Sequence, residues 1–215
     1  MGRAIRILSL LTPLLSSTAS AQWERAWWTT SGIGVQIRGG AGEIGRQPNA
    51  TGGHEELIAR LGGGPALAAH FGFQSRLGGV EFRLSWGGSA VEVVNRNGAR
   101  FPNHGEPPIT WAGNIMVYPF APFTGPRPRR YQPFVVAGAG GMLIEVDLDN
   151  INGQTLYNRF QWTVGGGLRI VSGLESPLMT MTYVELRVER LRTWQDAPFD
   201  RFTMVSGTAA VGMRF

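Results

Sequence analysis

The chain is expected to be an all-β protein, a transmembrane antiparallel up-and-down β-barrel of about eight strands, and three observations predict this. Eight runs of about ten residues or a little more alternate apolar and polar side chains, the length and period of a tilted strand crossing a bilayer. The links between these runs are mostly long and polar at one end, and two at the other end are short. The last run, Thr208-Ala-Ala-Val-Gly-Met-Arg-Phe215, puts Val211, Met213 and Phe215 on one face and Ala210, Gly212 and Arg214 on the other, and ends on an aromatic.

The N-terminus carries Arg3 and Arg6, then an apolar run from Ile7 to Leu15, then Ala19-Ser-Ala21. That is the pattern of a secretory signal peptide, residues 1–21, with residues 22–215 forming the barrel domain. The apolar run is about half of the roughly 20 residues a spanning helix needs. No other stretch is apolar for 18 residues, so the 43% hydrophobic content is spread in short pieces between Gly, Pro and Asn. The chain has no Cys, which excludes a disulfide-stapled scaffold, a thiolate metal site and a lipid-anchored cysteine. Without Arg3 and Arg6 there remain 18 basic and 15 acidic residues, all the basic ones Arg, for a charge of +3. That is too mild a surplus to imply a nucleic-acid partner.

The first strand runs from Thr29 to Arg38, with Ile33, Val35 and Ile37 on one face. Residues 39–64 read as a long loop in which His54 to Leu61 allows about two turns of helix. The second strand, Pro65 to Arg76, sets Leu67, Ala69, Phe71 and Phe73 against His70 and Gln74, and a tight turn at Leu77-Gly78-Gly79 follows. The third, Val80 to about Val93, opposes Phe82, Leu84 and Trp86 to Glu81 and Arg83. After a polar loop from Asn95 to Pro108, the fourth strand runs from Ile109 to Tyr118. Four prolines between Pro119 and Arg130 exclude an interior strand there.

The fifth strand, Tyr131 to Val146, is read with Phe134, Val136, Met142, Ile144 and Val146 toward lipid and Val135, Ala137, Ala139, Gly141 and Glu145 inward. The sixth, Arg159 to Val171, faces Phe160, Trp162, Val164, Leu168 and Ile170 outward. The seventh, Met179 to Leu191, opposes Val184, Leu186 and Val188 to Glu185, Arg187 and Glu189, and the eighth runs from Arg201 to Phe215. With this order, Trp86, Trp111, Trp162 and Trp194 fall near the outer rim. Trp28, Tyr118, Phe120, Tyr131, Phe134 and Phe215 fall near the inner one, as two aromatic girdles.

Turning the apolar face to lipid sends Gln36, Arg38, His70, Arg76, Glu81, Arg83, Asn114, Glu145, Arg169, Glu185, Arg187, Glu189 and Arg214 into the barrel. The opposite choice would place Arg83, Arg169 and Arg187 in hydrocarbon at about 2–4 kcal/mol each near midplane. Eight strands enclose only enough room for their own side chains, so Arg38, Arg83, Glu81, Glu145, Arg169, Glu185, Arg187, Glu189 and Arg214 are expected to interlock as a lumenal polar network. Arg214 is within reach of the glutamates of the seventh strand. Glu185 and Glu189 could instead form a carboxylate pair for acid/base chemistry, but the intervening Arg residues neutralise them.

The other chemical motifs are weak. His70 has no serine beside it in sequence, His54 and His104 lie in loops, and His54-Glu55 lacks the second His of a zinc-protease helix. Residues 147–158 resemble a calcium loop but miss its third ligand, turn glycine and closing glutamate. Gly138 to Gly141 and Gly165 to Gly167 lie inside strands, where they leave room for large lumenal side chains or permit bending rather than cradle a phosphate. Arg127, Arg129 and Arg130 could touch phospholipid headgroups, and Arg96 and Arg100 lipopolysaccharide phosphates. No catalytic residue, cofactor or metal is expected.

The terminal Thr208, Ala210, Met213 and Phe215 resemble the assembly signal of bacterial outer-membrane β-barrels, with Ala where that signal usually has Gly. Together with the signal peptide, the strands and the girdles, the whole mature chain resembles the small eight-stranded barrels of the outer membrane protein A and X type. The resemblance implies a Gram-negative cell-envelope protein, exported and inserted by the barrel-assembly machinery, with Met213 and Phe215 in the assembly signal, and no peptidoglycan-binding domain after the barrel. It implies outer-membrane lipid and lipopolysaccharide as surroundings, a monomer, and a structural or surface-interaction role without enzymatic activity and with a plugged lumen. The alternatives are an outer-membrane lipid-modifying enzyme or a small porin-like channel. A soluble lipocalin is disfavoured, because its apolar face would point inward and no Gly-x-Trp stands at the first strand.

Overall fold

The computed structural model describes residues 27–40, 42–48, 56–88, 91–95, 97–101, 105–121, 130–146, 155–172, 181–194 and 203–215. Among them are twelve strands: β1 (Trp28–Gly39), β2 (Gly42–Pro48), β3 (Glu56–Leu61), β4 (Gly64–Gln74), β5 (Gly78–Gly87), β6 (Val91–Asn95), β7 (Arg100–Phe101), β8 (Ile109–Val117), β9 (Tyr131–Val146), β10 (Thr155–Ser172), β11 (Met181–Thr193) and β12 (Thr203–Arg214). Eight close into an antiparallel barrel in the order β1, β12, β11, β10, β9, β8, β5, β4, and the other four form a separate sheet in the order β2, β3, β6, β7. The signal peptide, His54, His104, Arg96, Arg127, Arg129 and the calcium-like loop at 147–154 lie outside the described residues.

Closure is made by the first and last strands. β1 and β12 pair from Thr30 with Arg214 to Gly39 with Val205. One residue beyond that ladder, Phe215 N–H donates to the Thr29 carbonyl at 2.9 Å and Thr29 N–H donates to the Phe215 carbonyl at 3.2 Å. The terminal residue is thus held at the seam by its backbone.

The alternation expected for seven of the eight barrel strands is the alternation observed. Ile33 and Val188 are 67% and 60% exposed on the outer wall, while their neighbours in sequence turn into the barrel. β9 is the exception. Phe134, Val136, Met142 and Ile144 are buried inside, while Val135, Ala137 and Ala139 are exposed outside. Its sequence is apolar on both faces, so period alone does not choose between them. Pairing does choose: Gln132 lies opposite the buried Arg169, and Phe134 opposite Gly167. Glu145, on the outward parity, is therefore not lumenal, and its Oε2 accepts a bond from the Glu106 N–H at 3.4 Å near the outer end.

The long links differ from a plain loop reading. Residues 56–61 are strand rather than helix, and residues 42–48 and 100–101 also pair in the small sheet. The run from Val80 to Val93 is two strands, not one. Gly87 and Gly88 between them have φ of 95° and 94°, a left-handed conformation that side chains resist, so the chain leaves the barrel there and re-enters the small sheet as β6. At the other end, residues 75–77 make the short turn, with Ser75 N–H donating to the Gly78 carbonyl at 2.7 Å. Arg76 sits in that turn, exposed, and donates to the Ala121 carbonyl at 3.1 Å instead of entering the lumen.

The small sheet stands at the barrel end that carries the long links. Its Ala59, Leu61 and Val93 pack in one buried cluster with Met142 and Ile144 of β9, Leu191 of β11 and Met204 of β12, flanked by Val91 and Phe101. The inner half holds a second apolar layer, Met116, Tyr118, Phe134 and Val136. The inner aromatics consequently split: Phe120 and Tyr131 are exposed outside, whereas Trp28, Tyr118 and Phe134 point inward. Trp86, Trp111 and Trp194 are outward and exposed at the other rim, and Trp162 is half-buried on the same face.

Deleting Phe215 removes both terminal backbone bonds of the seam. The heat-sensitive, fast-migrating form on unboiled gels is expected to fall several-fold in yield on refolding into vesicles. Unchanged yield would show that the seam does not need them.

Candidate functional site

The interior between the two apolar layers is filled by charge. Arg187 bridges two strands' carboxylates: its Nη1 donates to Glu81 Oε1 at 2.6 Å and its Nη2 to Glu189 Oε1 at 2.5 Å. Arg83 Nη1 donates to the other oxygen of Glu189 at 3.1 Å, and its Nη2 to Thr208 Oγ1 at 2.6 Å. Arg169 holds Glu185 Oε2 through both Nε, at 3.1 Å, and Nη2, and donates from Nη1 to the Tyr118 hydroxyl at 3.2 Å. Its guanidinium lies 4.2 Å from the Tyr183 ring centroid and 5.9 Å from that of Phe134. Three guanidiniums, from β5, β10 and β11, thus interlock with three carboxylates from β5 and β11. Arg169 and Glu185 are 0% exposed, Arg187 2% and Glu81 3%.

Arg38 and Arg214 stand at opposite ends of this cluster and have neutral acceptors. Arg38 Nη2 donates to the hydroxyls of Ser85 and Thr110, the latter at 2.6 Å, and its Nη1 to the Gly87 carbonyl at 3.3 Å. Arg214 Nη2 donates to Gln74 Oε1 at 3.1 Å and Gln132 Oε1 at 3.2 Å, with its guanidinium 5.0 Å from the Trp28 ring. Arg214 therefore pairs with amides and an indole rather than with the glutamates of β11, because it lies at the inner end of β12, opposite Met181. Of the nine residues expected to form the polar network, eight line the lumen and Glu145 does not.

The expected network did not include Tyr183, Tyr118, Gln132, Ser85, Thr110 or Thr208, although Tyr183, Ser85 and Thr208 share strand parity with the charged lumenal residues Glu185, Arg83 and Arg214. The hydroxyl groups were legible as inward but not as partners, since their contacts cross from strand to strand, and Gln132 lies on the face of β9 that was expected to meet lipid.

The glycines of the wall make this packing possible. A Cβ on Gly212 would lie 2.3 Å from Tyr183 Cζ, one on Gly32 2.6 Å from the His70 ring, and one on Gly167 2.6 Å from the Phe134 ring. Each marks a place where a large lumenal side chain lies flat against the wall.

His70 is buried, with Nε2 2.6 Å from the Tyr183 hydroxyl, which in turn donates to the Ser31 carbonyl at 3.1 Å. Ligand atoms of His70, Glu81 and Glu185 come within 4.8 Å of one another. The residues do not fit a cation there. Arg169 and Arg187 each stand within 4 Å of both carboxylates, so a metal ion would add positive charge to a cluster already neutral. No serine hydroxyl bonds His70 among the described residues; its ring nitrogen meets the Tyr183 hydroxyl.

Breaking one member of this buried network leaves an unpaired charge. Arg187→Met is expected to lower unfolding free energy in vesicles by about 3–5 kcal/mol, read by urea titration. Arg100→Ala, which removes the exposed 2.7 Å pair with Glu92, is expected to change it by no more than about 1 kcal/mol.

No family model matches the chain, and no curated protein matches it. Solved structures do. Neisserial surface protein A superposes with a TM-score of 0.50 at 9% identity, over 89% of this chain and 98% of that one. Ail, the attachment invasion locus protein of Yersinia pestis, gives 0.46 at 10% identity over 89% and 100%. The N-terminal β-barrel domain of Pseudomonas aeruginosa OprF gives 0.38 at 14% over 86% and 97%. The likeness to Neisserial surface protein A is one of fold, and that fold, a closed eight-stranded antiparallel β-barrel, is the architecture of this chain.

Proposed function

We propose that the protein is a non-enzymatic outer-membrane barrel that works through its surface, with a lumen closed to solutes. The observation that carries this reading is the filling of the interior. A polar cluster with residues 0–3% exposed, Arg169, Glu185, Arg187 and Glu81, lies beneath a buried apolar cluster that joins the small sheet to the barrel mouth. A channel needs a continuous wet path, and an enzyme needs a place for substrate against its reactive groups. Here each charged centre is in contact with another side chain of the wall.

Location in an outer membrane is supported by the apolar outer wall of a closed barrel, since a sheet without edges is one of the two ways a backbone can satisfy itself in hydrocarbon. The turn at residues 75–77 against the long links at the opposite end supports an orientation with the small sheet outside the cell. Export through residues 1–21, insertion by the barrel-assembly machinery with Met213 and Phe215 in the signal, a monomeric state and contact with outer-membrane lipid and lipopolysaccharide all belong to this reading. The partner-facing surface it offers is the small sheet.

Two measurements test it. In planar bilayers the purified chain is expected to give no stable open channel, and a large steady conductance would contradict the closed lumen. Lipid A extracted after expression is expected to keep its mass and acyl pattern, and loss or gain of an acyl chain would contradict the absence of catalysis.

A further inference from the structure

Six arginines on the described barrel strands, Arg38, Arg83, Arg159, Arg169, Arg187 and Arg214, are buried inside. Two others face the opposite way. Arg190 and Arg192 follow Val184, Leu186 and Val188 on the outward face of β11, where Arg190 is exposed and Arg192 half-exposed. Neither has a carboxylate partner among the described residues. They lie two residues apart on one strand, about 7 Å.

Their surroundings are those of a bilayer boundary. Arg192 pairs across the sheet with Trp162, and Arg190 with Val164. On the other side, Arg190 pairs with the exposed Val205. Beyond them, toward the outer end, Trp194 meets Phe160 edge to face at 6.4 Å, with the Trp194 N–H donating to the Phe160 carbonyl at 2.9 Å. The two arginines are therefore on the membrane side of an aromatic pair, with Val164 and Val205 beside Arg190 and Val188 one step below it. A lipid-facing arginine costs about 2–4 kcal/mol at midplane and about 0–1 kcal/mol near an interface, so the strand tolerates this pair only at headgroup depth. There it needs an anion from the lipid.

The geometry points to a headgroup site in which Arg190 and Arg192 together bind a phosphate of the outer-leaflet glycolipid, lipid A, while its acyl chains lie on Val164, Val188 and Val205. Guanidiniums suit this because they present forked donors to phosphate oxygens. Arg100, on the small sheet, is instead engaged by Glu92 at 2.7 Å. The site rests on the outer-membrane reading, since it takes the end of β11 near the long links to be the outer leaflet.

The test uses the full mature chain refolded into phosphatidylcholine vesicles containing increasing lipid A or, at matched charge, phosphatidylglycerol. The readout is protection against thermal unfolding, followed by gel mobility. Lipid A is expected to protect the wild type at a lower mole fraction than phosphatidylglycerol. In Arg190→Gln/Arg192→Gln its half-saturating fraction is expected to rise roughly thirtyfold, the worth of two basic residues at an anionic surface. In pure phosphatidylcholine the two proteins are expected to unfold at the same temperature. Equal half-saturation in the variant, or equal protection of the wild type by phosphatidylglycerol, would overturn the site while leaving the barrel reading intact. Failure of the wild type to enter vesicles in a heat-modifiable form would overturn both. If the double variant does not fold, Arg192→Gln alone is read the same way, with a rise of about fivefold expected.

Discussion

The structure depends on the narrowness of its interior. Eight strands enclose a column wide enough for side chains and little else, so a charge that enters it must find its partners among the other side chains of the column. Arg187 reaches Glu81 on β5 and Glu189 on its own strand. Arg169 reaches from β10 to Glu185 on β11 and to the Tyr118 hydroxyl. These contacts are cross-braces between staves of the barrel. They rarely add net stability over an apolar filling, but they reward only one register, because a slip by one residue would turn every brace into the membrane.

The wall answers two solvents at once, and its sequence shows the compromise. Outward positions are apolar and mostly branched, inward positions carry bulky polar groups between two apolar layers, and several inward glycines are recesses for a ring from elsewhere in the column, as Gly212 is for Tyr183. At the outer end the demand changes again. The small sheet brings Leu61 and Val93 down onto Met142, Ile144, Leu191 and Met204, so the polar column is roofed by an apolar layer. Arg190 and Arg192 stand on the outside of the same wall, next to the aromatic pair of Trp194 and Phe160.

Most of this was legible wherever the two faces of a strand differ in polarity. On β1, β4, β5, β10, β11 and β12 at least one charged or histidine side chain stands on one face against an apolar run on the other, which assigned the inside, and the inward placing of Glu81, Arg83, Arg169, Glu185, Arg187 and Glu189 followed from that alternation. β9 was misread because Phe134, Val135, Val136 and Ala137 are apolar on both faces, and that reading placed Glu145 inside. The partners of Arg214 were misjudged because strand tilt and stagger decide which inward groups share a level, and neither is written in one strand's sequence. The small sheet was hidden for a related reason. Its strands are short; β2, β3 and β7 lie within segments rich in glycine and charge that read as loops, and β6 continues the apolar run of β5 and read as part of it.

The pairing of β1 with β12 also bears on how the barrel can be built. These strands are neighbours in space and nearly the whole chain apart in sequence, so in synthesis from the N-terminus β1 emerges first and its partner last. Until then β1 carries an open edge of backbone donors and acceptors beneath an apolar face, the kind of surface that pairs with whatever strand it meets. Loop closure over such a span is also entropically slow. The barrel is therefore a late product of its own assembly, and the chain spends the interval before closure dependent on being held apart from other copies of itself.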